Sequence, residues 1–499
     1  MNQIKTGALL SYIGLGINIL IGLLYTPWMI HSIGRDNFGL YTLAMSIITL
    51  FVFDFGLSSA VTRFMAKYIA EGRNDKANNC LSLVYKLYIG IDTILLLILT
   101  AVYFFIPCIY ESLTPAEIGK FKIVYIIASC FSVISFPFIP LNGVLSANEK
   151  FIQLKLCELA NKIIIVGTMS ACLLMGYGLY ALVSVNAFAG IIMIVLKLYC
   201  VRRFTDTKIN FGYKNTRERK EILGFSGWVT VISVCQRMIF NLAPSILGIM
   251  SGAASIAVLG IAITIEGYTY TFASALNGMF LPKVSRIMAS DSSDLMPLMI
   301  RIGRLQAMVI TFIVIIFICV GQNFINLWVG EEFSSSYFCA ILLILPSLIQ
   351  LPQEIASTAM VAANKVKHQA IVFIAMAICN IGLAFWLSSK WNAIGISLSI
   401  CIAYLVRTIG LNYLYVKDLN LKIHYFFVKT FSKLILPVLL VISAAFTFNH
   451  FINTNNWFAF IFEAAILSIS FVGLLWLMYM NRDEKNLALS LFRIRRLKN

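Results

Sequence analysis

The chain has 499 residues, of which 60% are hydrophobic and only 12% charged, with a formal net charge of +17. Soluble domains carry about a quarter charged residues, so a water-soluble globular protein is excluded. The basic excess does not point to nucleic acid either, because its placement follows a membrane pattern described below.

A bilayer core about 30 Å thick needs roughly 20 apolar residues of helix. In chain order the apolar stretches are 7–31, 38–62, 80–106, 121–146, 152–175, 177–200, 225–250, 254–281, 298–320, 336–362, 368–388, 392–416, 430–452 and 457–480. The fold class expected is therefore an all-α polytopic membrane protein with fourteen transmembrane helices. The first stretch is too long for a signal-peptide core and has no small-residue cleavage pattern, so it reads as span 1. If the N-terminus is cytoplasmic, the even-numbered connections are too. These hold Lys67, Arg73 and Lys76, then Lys150 and Lys155, then seven cations from Arg202 to Lys220, and later Arg301, Arg304, Lys365, Lys367, Lys417, Lys422 and Lys429. The tail adds Arg493, Arg495, Arg496 and Lys498, whereas the outer connections carry only Arg35, Lys120, Lys122 and Lys390. This asymmetry places both termini in the cytoplasm and makes anionic membrane lipids secondary partners.

The chain repeats itself weakly. Pro137 and Asn148 near the end of span 4 answer Pro352 and Asn364 near the end of span 10; Pro27 answers Pro244, and Arg63 answers Arg286. Six spans is an even number, so two such copies point the same way across the membrane and would enclose a cavity near its midplane. The expected organisation is an N-lobe at 1–200, a cytoplasmic linker at 201–224, a C-lobe at 225–416, and spans 13 and 14 with a basic tail at 417–499. Pro27, Pro137, Pro140, Pro244, Pro346, Pro352 and Pro437 mark bends, since each removes a ladder hydrogen bond.

Ionisable groups inside spans are costly and are candidates for function. Asp54 lies in span 2, with Arg63 nearer the cytoplasm, and Asp92 lies mid-span 3. Glu158 and Lys162 stand one turn apart on span 5 and read best as a pair on one face. Arg237, flanked by Gln236 and followed one turn on by Asn241, lies near the middle of span 7, with Asn18 as its rough repeat-mate. Glu266, Glu354, Arg407 and Glu463 fall in spans 8, 10, 12 and 14. Arg63, Arg407 and Lys86 are near inner ends and can snorkel to lipid phosphates. Arg237 is too deep for that and reads as lining a hydrophilic cavity, with Asp54 or Glu266 as carboxylates it can meet. Trp28, Trp328, Tyr110 and Trp457 sit where an interfacial aromatic belt belongs.

Eleven cysteines without a C-x-x-C pair and four histidines at span ends offer no metal site, cofactor or catalytic constellation. No phosphate-binding G-x-x-x-x-G-K-[ST] loop occurs, so ATP-driven transport by this chain alone is not written here.

Ile33-Gly34-Arg35-Asp36-Asn37-Phe38-Gly39-Leu40-Tyr41, followed by Asp54-Phe55-Gly56-Leu57 and Arg63, resembles the opening signature of the polysaccharide flippases, a branch of the MATE-like multidrug/oligosaccharidyl-lipid/polysaccharide (MOP) exporter superfamily. The span layout is similar over essentially the whole chain. The resemblance implies two parallel six-helix lobes plus two C-terminal helices. It also implies a bacterial inner-membrane protein moving undecaprenyl-pyrophosphate-linked oligosaccharide repeat units outward for O-antigen, capsule or exopolysaccharide synthesis. A polysaccharide polymerase and a chain-length regulator are the implied protein partners. By position Arg63 and Arg237 would be the cavity cations and Asp54 a modulating carboxylate, although deep cations are few here. Two other readings stand beside this one. A cation-coupled multidrug antiporter of the same fold is disfavoured by spans 13 and 14 and by Arg237. A membrane polymerase or ligase is disfavoured by short outer connections that carry Glu111, Glu117, Glu331 and Glu332 and no catalytic set.

Overall fold

The computed structural model describes residues 16, 19, 21–51, 57–209, 212, 213, 215–274, 284, 287, 295–363, 365–451 and 456–493. Among these every regular element is helical. Among the described residues eleven helices are long and apolar enough to cross a membrane, and the expected spans from 80–106 onward fall on them, apart from 275–281 and 452, which lie outside the described residues. The longest, Val366–Leu419, has 54 residues, about 81 Å if straight and far beyond one crossing. It is two spans in one run. The helix breaks at Trp391 and Asn392, where Asn392 takes φ 48° and ψ −126° and accepts a 3.0 Å hydrogen bond on Oδ1 from Ser251 Oγ.

The chain divides into two compact units. The first comprises Met1–Gly260 with Phe373–Ser399, and the second Ile261–Val372 with Ile400–Asn499. The first contains a helix over 21–33 (α1), then α2 (Arg35–Phe51), α3 (Leu57–Ala70), α4 (Asn74–Ile109), α5 (Pro115–Ser135), α6 (Leu141–Ala147), α7 (Phe151–Leu174), α8 (Leu179–Phe204), α9 (Thr216–Asn241) and α10 (Ala243–Met250).

The turn between α1 and α2 accounts for the Gly34–Tyr41 signature residue by residue. Gly34 ends α1 with φ 81°, a left-handed conformation that glycine adopts without strain. Asn37 Nδ2 donates to the carbonyl of Ile33 at 2.7 Å, and Asn37 Oδ1 accepts from Lys120 Nζ on α5 at 3.2 Å. A side chain at Gly39 would collide with the backbone carbonyl of Ala253. Tyr41 Oη accepts from Asn186 Nδ2 on α8 at 3.1 Å. The signature therefore fixes a turn and seats one helix on three others.

Four of the expected prolines lie at helix breaks. Pro137 lies in a 3₁₀ turn at Phe136–Phe138 between α5 and α6, and Pro352 lies in the matching turn at Leu351–Gln353. Pro244 follows the junction of α9 and α10 at Leu242, and Pro346 sits in a turn. Pro27 is carried within α1, so it bends no boundary there. The start of α5 has a capping box: Thr114 Oγ1 accepts from Glu117 N at 3.3 Å, and Glu117 Oε2 accepts from Thr114 N at 2.7 Å.

The connection after α8 is shorter than the expected 201–224, because α8 runs to Phe204 and α9 starts at Thr216. It is tied to α4 by Asn78 Oδ1, which accepts from Lys208 N at 3.0 Å. Lys86 Nζ donates to Tyr213 O at 2.8 Å, so this lysine holds the connection rather than reaching for lipid.

The second unit begins in the continuation of α11 (Ala253–Ser274) and includes α12 (Leu295–Val329), α13 (Ser336–Ile344), α14 (Ser347–Gln350), α15 (Glu354–Ala362), both ends of α16 (Val366–Leu419), α17 (Ile423–Phe431), α18 (Ile435–Phe451), α19 (Trp457–Leu474) and α20 (Arg482–Arg493). Ile315, Val441, Leu467 and Phe471 share a buried core that packs the last two spans on α12. Many large apolar side chains face outward: Leu97 is 65% exposed, Phe458 84% and Leu477 75%. Such a surface is stable only in hydrocarbon. Two belt residues are corrected. Trp328 and Tyr110 are buried, Trp328 stacked on Phe324 at 5.2 Å and Tyr110 edge-on to Phe121 at 5.2 Å; ring contacts, not an interface, hold them.

Candidate functional site: intramembrane charge clusters

In the first unit, α9 brings Arg237 and Asn241 to the same point on α2, because residues four apart share a helix face. Arg237 Nη1 donates to the carbonyl oxygen of Thr49 at 3.0 Å. Thr49 Oγ1 lies 3.0 Å from Asn241 Oδ1, and 2.8 Å from the carbonyl of Met45. A hydroxyl has one proton, so when Thr49 donates back to Met45 it accepts from Asn241 with the amide turned round. Arg237 and Gln236 are half-buried. Asp54 and Asn18 lie outside the described residues, and for Arg63 the backbone places the residue in α3. Asp92 is half-buried in α4, and among the described residues its Oδ1 lacks a hydrogen-bond partner.

The expected pair of Glu158 with Lys162 is replaced by another. Glu158 Oε2 accepts from Lys155 Nζ at 2.8 Å, three residues toward the start of α7. Lys162, and Lys197 on α8, lie within electrostatic reach of the same carboxylate. Helical spacing allows either partner.

In the second unit the polar interior is built around two arginines. Arg407 is 4% exposed and does not snorkel. Its guanidinium lies 5.6 Å from the centre of the Tyr404 ring and within electrostatic reach of Glu354, Tyr270 and Tyr415. Glu266 is half-buried on α11 and reaches Tyr270 and Tyr404. Beside them Gln353 Nε2 donates to Asn412 Oδ1 at 2.7 Å, and Gln369 Nε2 to Ser357 Oγ at 2.8 Å. A signal for Arg407 was present in the sequence. Leu405, Ile409, Tyr413 and Val416 form the exposed face of that helix, so the spacing Tyr404, Arg407, Leu411, Tyr415 marks the inward one.

Arg304, counted in sequence among the cytoplasmic cations, is a second buried centre. Its Nε and Nη2 donate to Glu484 Oε1 and Oε2 at 2.7 and 3.0 Å, Nη2 also to Tyr479 O at 2.7 Å, and Nη1 to Lys429 O at 2.9 Å. The guanidinium covers the Tyr479 ring at 4.2 Å. This knot joins α12, α17, the end of the last span and α20.

A polytopic helical bundle with charged groups turned inward is the architecture of a membrane transporter, and the comparisons agree. The model of the family described as "Polysaccharide biosynthesis protein" matches residues 4–288, and the chain belongs to that family. It is 21% identical over 418 residues to the "Putative O-antigen transporter" of Shigella flexneri, covering 81% of this chain and 96% of the relative. In fold it is similar to a structure titled "Lipid II flippase MurJ, inward closed conformation", with a TM-score of 0.71 at 15% identity, over 94% of this chain and 98% of that one. An inward-facing multidrug resistance MATE family transporter of the MOP superfamily matches with a TM-score of 0.68 at 13% identity, over 80% of this chain and 95% of that one. The fold is thus shared with these solved transporters.

Proposed function

We propose that the protein is a flippase for oligosaccharide repeat units carried on undecaprenyl pyrophosphate, working by alternating access in a bacterial inner membrane with both termini cytoplasmic. The observation that carries this reading is membership of a polysaccharide biosynthesis family in a chain whose fold matches that of a flippase along 94% of its length. A flippase must give a sugar–pyrophosphate headgroup a polar route while the polyprenyl tail remains in lipid. Arg237 suits that task. A guanidinium stays charged and forks onto phosphate oxygens, and here Nη1 donates to a neutral carbonyl, a contact that phosphate can displace. Asp54 is the carboxylate proposed to compete with the phosphate for Arg237, while Arg63, Asn18, Gln236, Asn241 and Glu266 are proposed to line the route. Two negative charges on the headgroup would be driven outward by an inside-negative potential at roughly 2.3 kcal/mol per charge per 100 mV.

The test is export in a strain lacking its own copy of the gene. Arg237→Ala should abolish surface polysaccharide while the protein inserts at normal levels, and Arg237→Lys should restore part of it. Asp54→Asn should alter flipping, and its combination with Arg237→Ala should be non-additive. Normal export by Arg237→Ala would remove the residue from the route. For topology, an impermeant reagent outside the cell should label a cysteine placed at Ser334 and miss one at Asn215. The half-buried carboxylates Glu266 and Glu354 keep a cation-coupled drug antiporter as the second reading. Drug resistance that follows the gene, with no change in surface polysaccharide, would select it.

A further inference from the structure

The α7–α8 hairpin carries a charge imbalance that the transport route above does not use. Lys155, Glu158 and Lys162 follow the i, i+3, i+7 spacing that puts all three on one face of α7. Lys197 joins them from α8. Glu158 binds Lys155 directly at 2.8 Å, and both Lys162 and Lys197 are within electrostatic reach of that carboxylate. Three ammonium groups less one carboxylate leave 3 − 1 = +2.

The depth of these groups makes the imbalance costly. From the open end of the hairpin, opposite the turn at 175–178, Lys155 stands one helical turn in, Lys197 two and Lys162 three. That is about 6, 10 and 16 Å at 1.5 Å per residue. Lys197 is 8% exposed, and among the described residues neither it nor Lys162 makes a hydrogen bond or an ion pair. An ammonium group held at such depth needs an anionic partner. With the open end cytoplasmic, as the charge asymmetry of the connections requires, the cluster lies at the level of the inner-leaflet headgroups and just below.

We propose that Lys155, Lys162 and Lys197 form a phosphate-binding site on the α7–α8 hairpin, which takes the phosphate of an inner-leaflet lipid carrying two negative charges. Lysine fits this role as a compact point charge that engages phosphate without demanding a fixed approach. Glu158 acts as an internal counter-charge that keeps Lys155 in place and limits how tightly the anion is held. A lipid diphosphate neutralises the residual charge in one step, whereas a phosphodiester lipid leaves half of it. The site stands on its own residues; only the identity of the lipid as transport cargo rests on the flippase reading.

The full-length protein in phosphatidylcholine nanodiscs tests this, with undecaprenyl pyrophosphate or phosphatidylglycerol titrated in and binding read from the rise in melting temperature. Lys162→Gln combined with Lys197→Gln should weaken diphosphate binding about tenfold or more, as expected for two lost cation–phosphate contacts. Glu158→Gln should strengthen it several-fold, because the competing carboxylate is gone. A purely structural Lys–Glu cluster predicts the opposite, a less stable protein with no gain in affinity. Unchanged binding of both lipids by the double variant would overturn the site. Should that variant fail to insert, Glu158→Gln decides alone: tighter binding upholds the site, and unchanged or weaker binding overturns it. Saturation by the diphosphate well below phosphatidylglycerol assigns the site to cargo, and equal saturation assigns it to a resident phospholipid. Drug resistance that follows the gene, with no change in surface polysaccharide, would defeat the flippase reading and leave this site untouched.

Discussion

The two units handle intramembrane charge differently. In the second unit Arg304 is saturated, with both oxygens of Glu484, two backbone carbonyls and the Tyr479 ring around one guanidinium. Arg407 is likewise buried, facing Glu354 and a set of tyrosines. In the first unit Arg237 is half-buried and donates to a neutral carbonyl, and three lysines share one carboxylate on α7 and α8. An arginine fully matched by carboxylate and carbonyls is part of the frame. A cluster with more cations than carboxylates, as on α7 and α8, keeps charge to offer a ligand. The depth of a charge in its span does not separate these cases; the partner does.

Arg304→Ala should give the largest stability loss, about 3–5 kcal/mol, since it leaves the Glu484 carboxylate buried without its guanidinium. Melting of the purified protein checks this. A parent-like melting temperature would break the contrast between the units, while partial recovery on adding Glu484→Ala would sharpen it. Arg407→Met should come next, at about 3 kcal/mol, for the same reason at Glu354. Glu354→Gln should cost less, because a neutral amide needs no counter-charge. If the order of those two is reversed, Glu354 and not Arg407 is the demanding member. Arg237→Ala should change stability by less than about 1 kcal/mol while removing export; loss of folding instead would place it with Arg304. The last change bears on a helix cap and leaves export unchanged. Thr114→Ala removes the cap of α5 and should cost about 1 kcal/mol, with no charge-dependent readout moved.

The spans from 80–106 onward were legible because hydropathy is a sum over neighbours in sequence, and burial in lipid reads the same sum. The proline turns at Phe136–Phe138 and Leu351–Gln353 were legible because a missing N–H is a local defect. The signature from Gly34 to Tyr41 was legible as a pattern; its reason became clear only with Ala253, Lys120 and Asn186 beside it. Arg407 was misread because its distance from the span end was weighed above the helix face it occupies. Glu158 was given the wrong lysine because i, i+3 and i, i+4 partners are equivalent on an isolated helix.

By itself the sequence determined an all-helical membrane protein, most of its apolar helices, and the breaks at Pro137, Pro244, Pro346 and Pro352. Each of these depends on residues within about one span of one another. The tertiary structure alone decided what each buried charge meets: Glu484 for Arg304 across 180 positions, Thr49 for Arg237 across 188, and Lys197 for Glu158 from the neighbouring helix. Those choices follow from how far each helix is rotated about its axis and which helix packs against it. Both are settled by the fit of whole helical faces, a property that no short stretch of sequence contains.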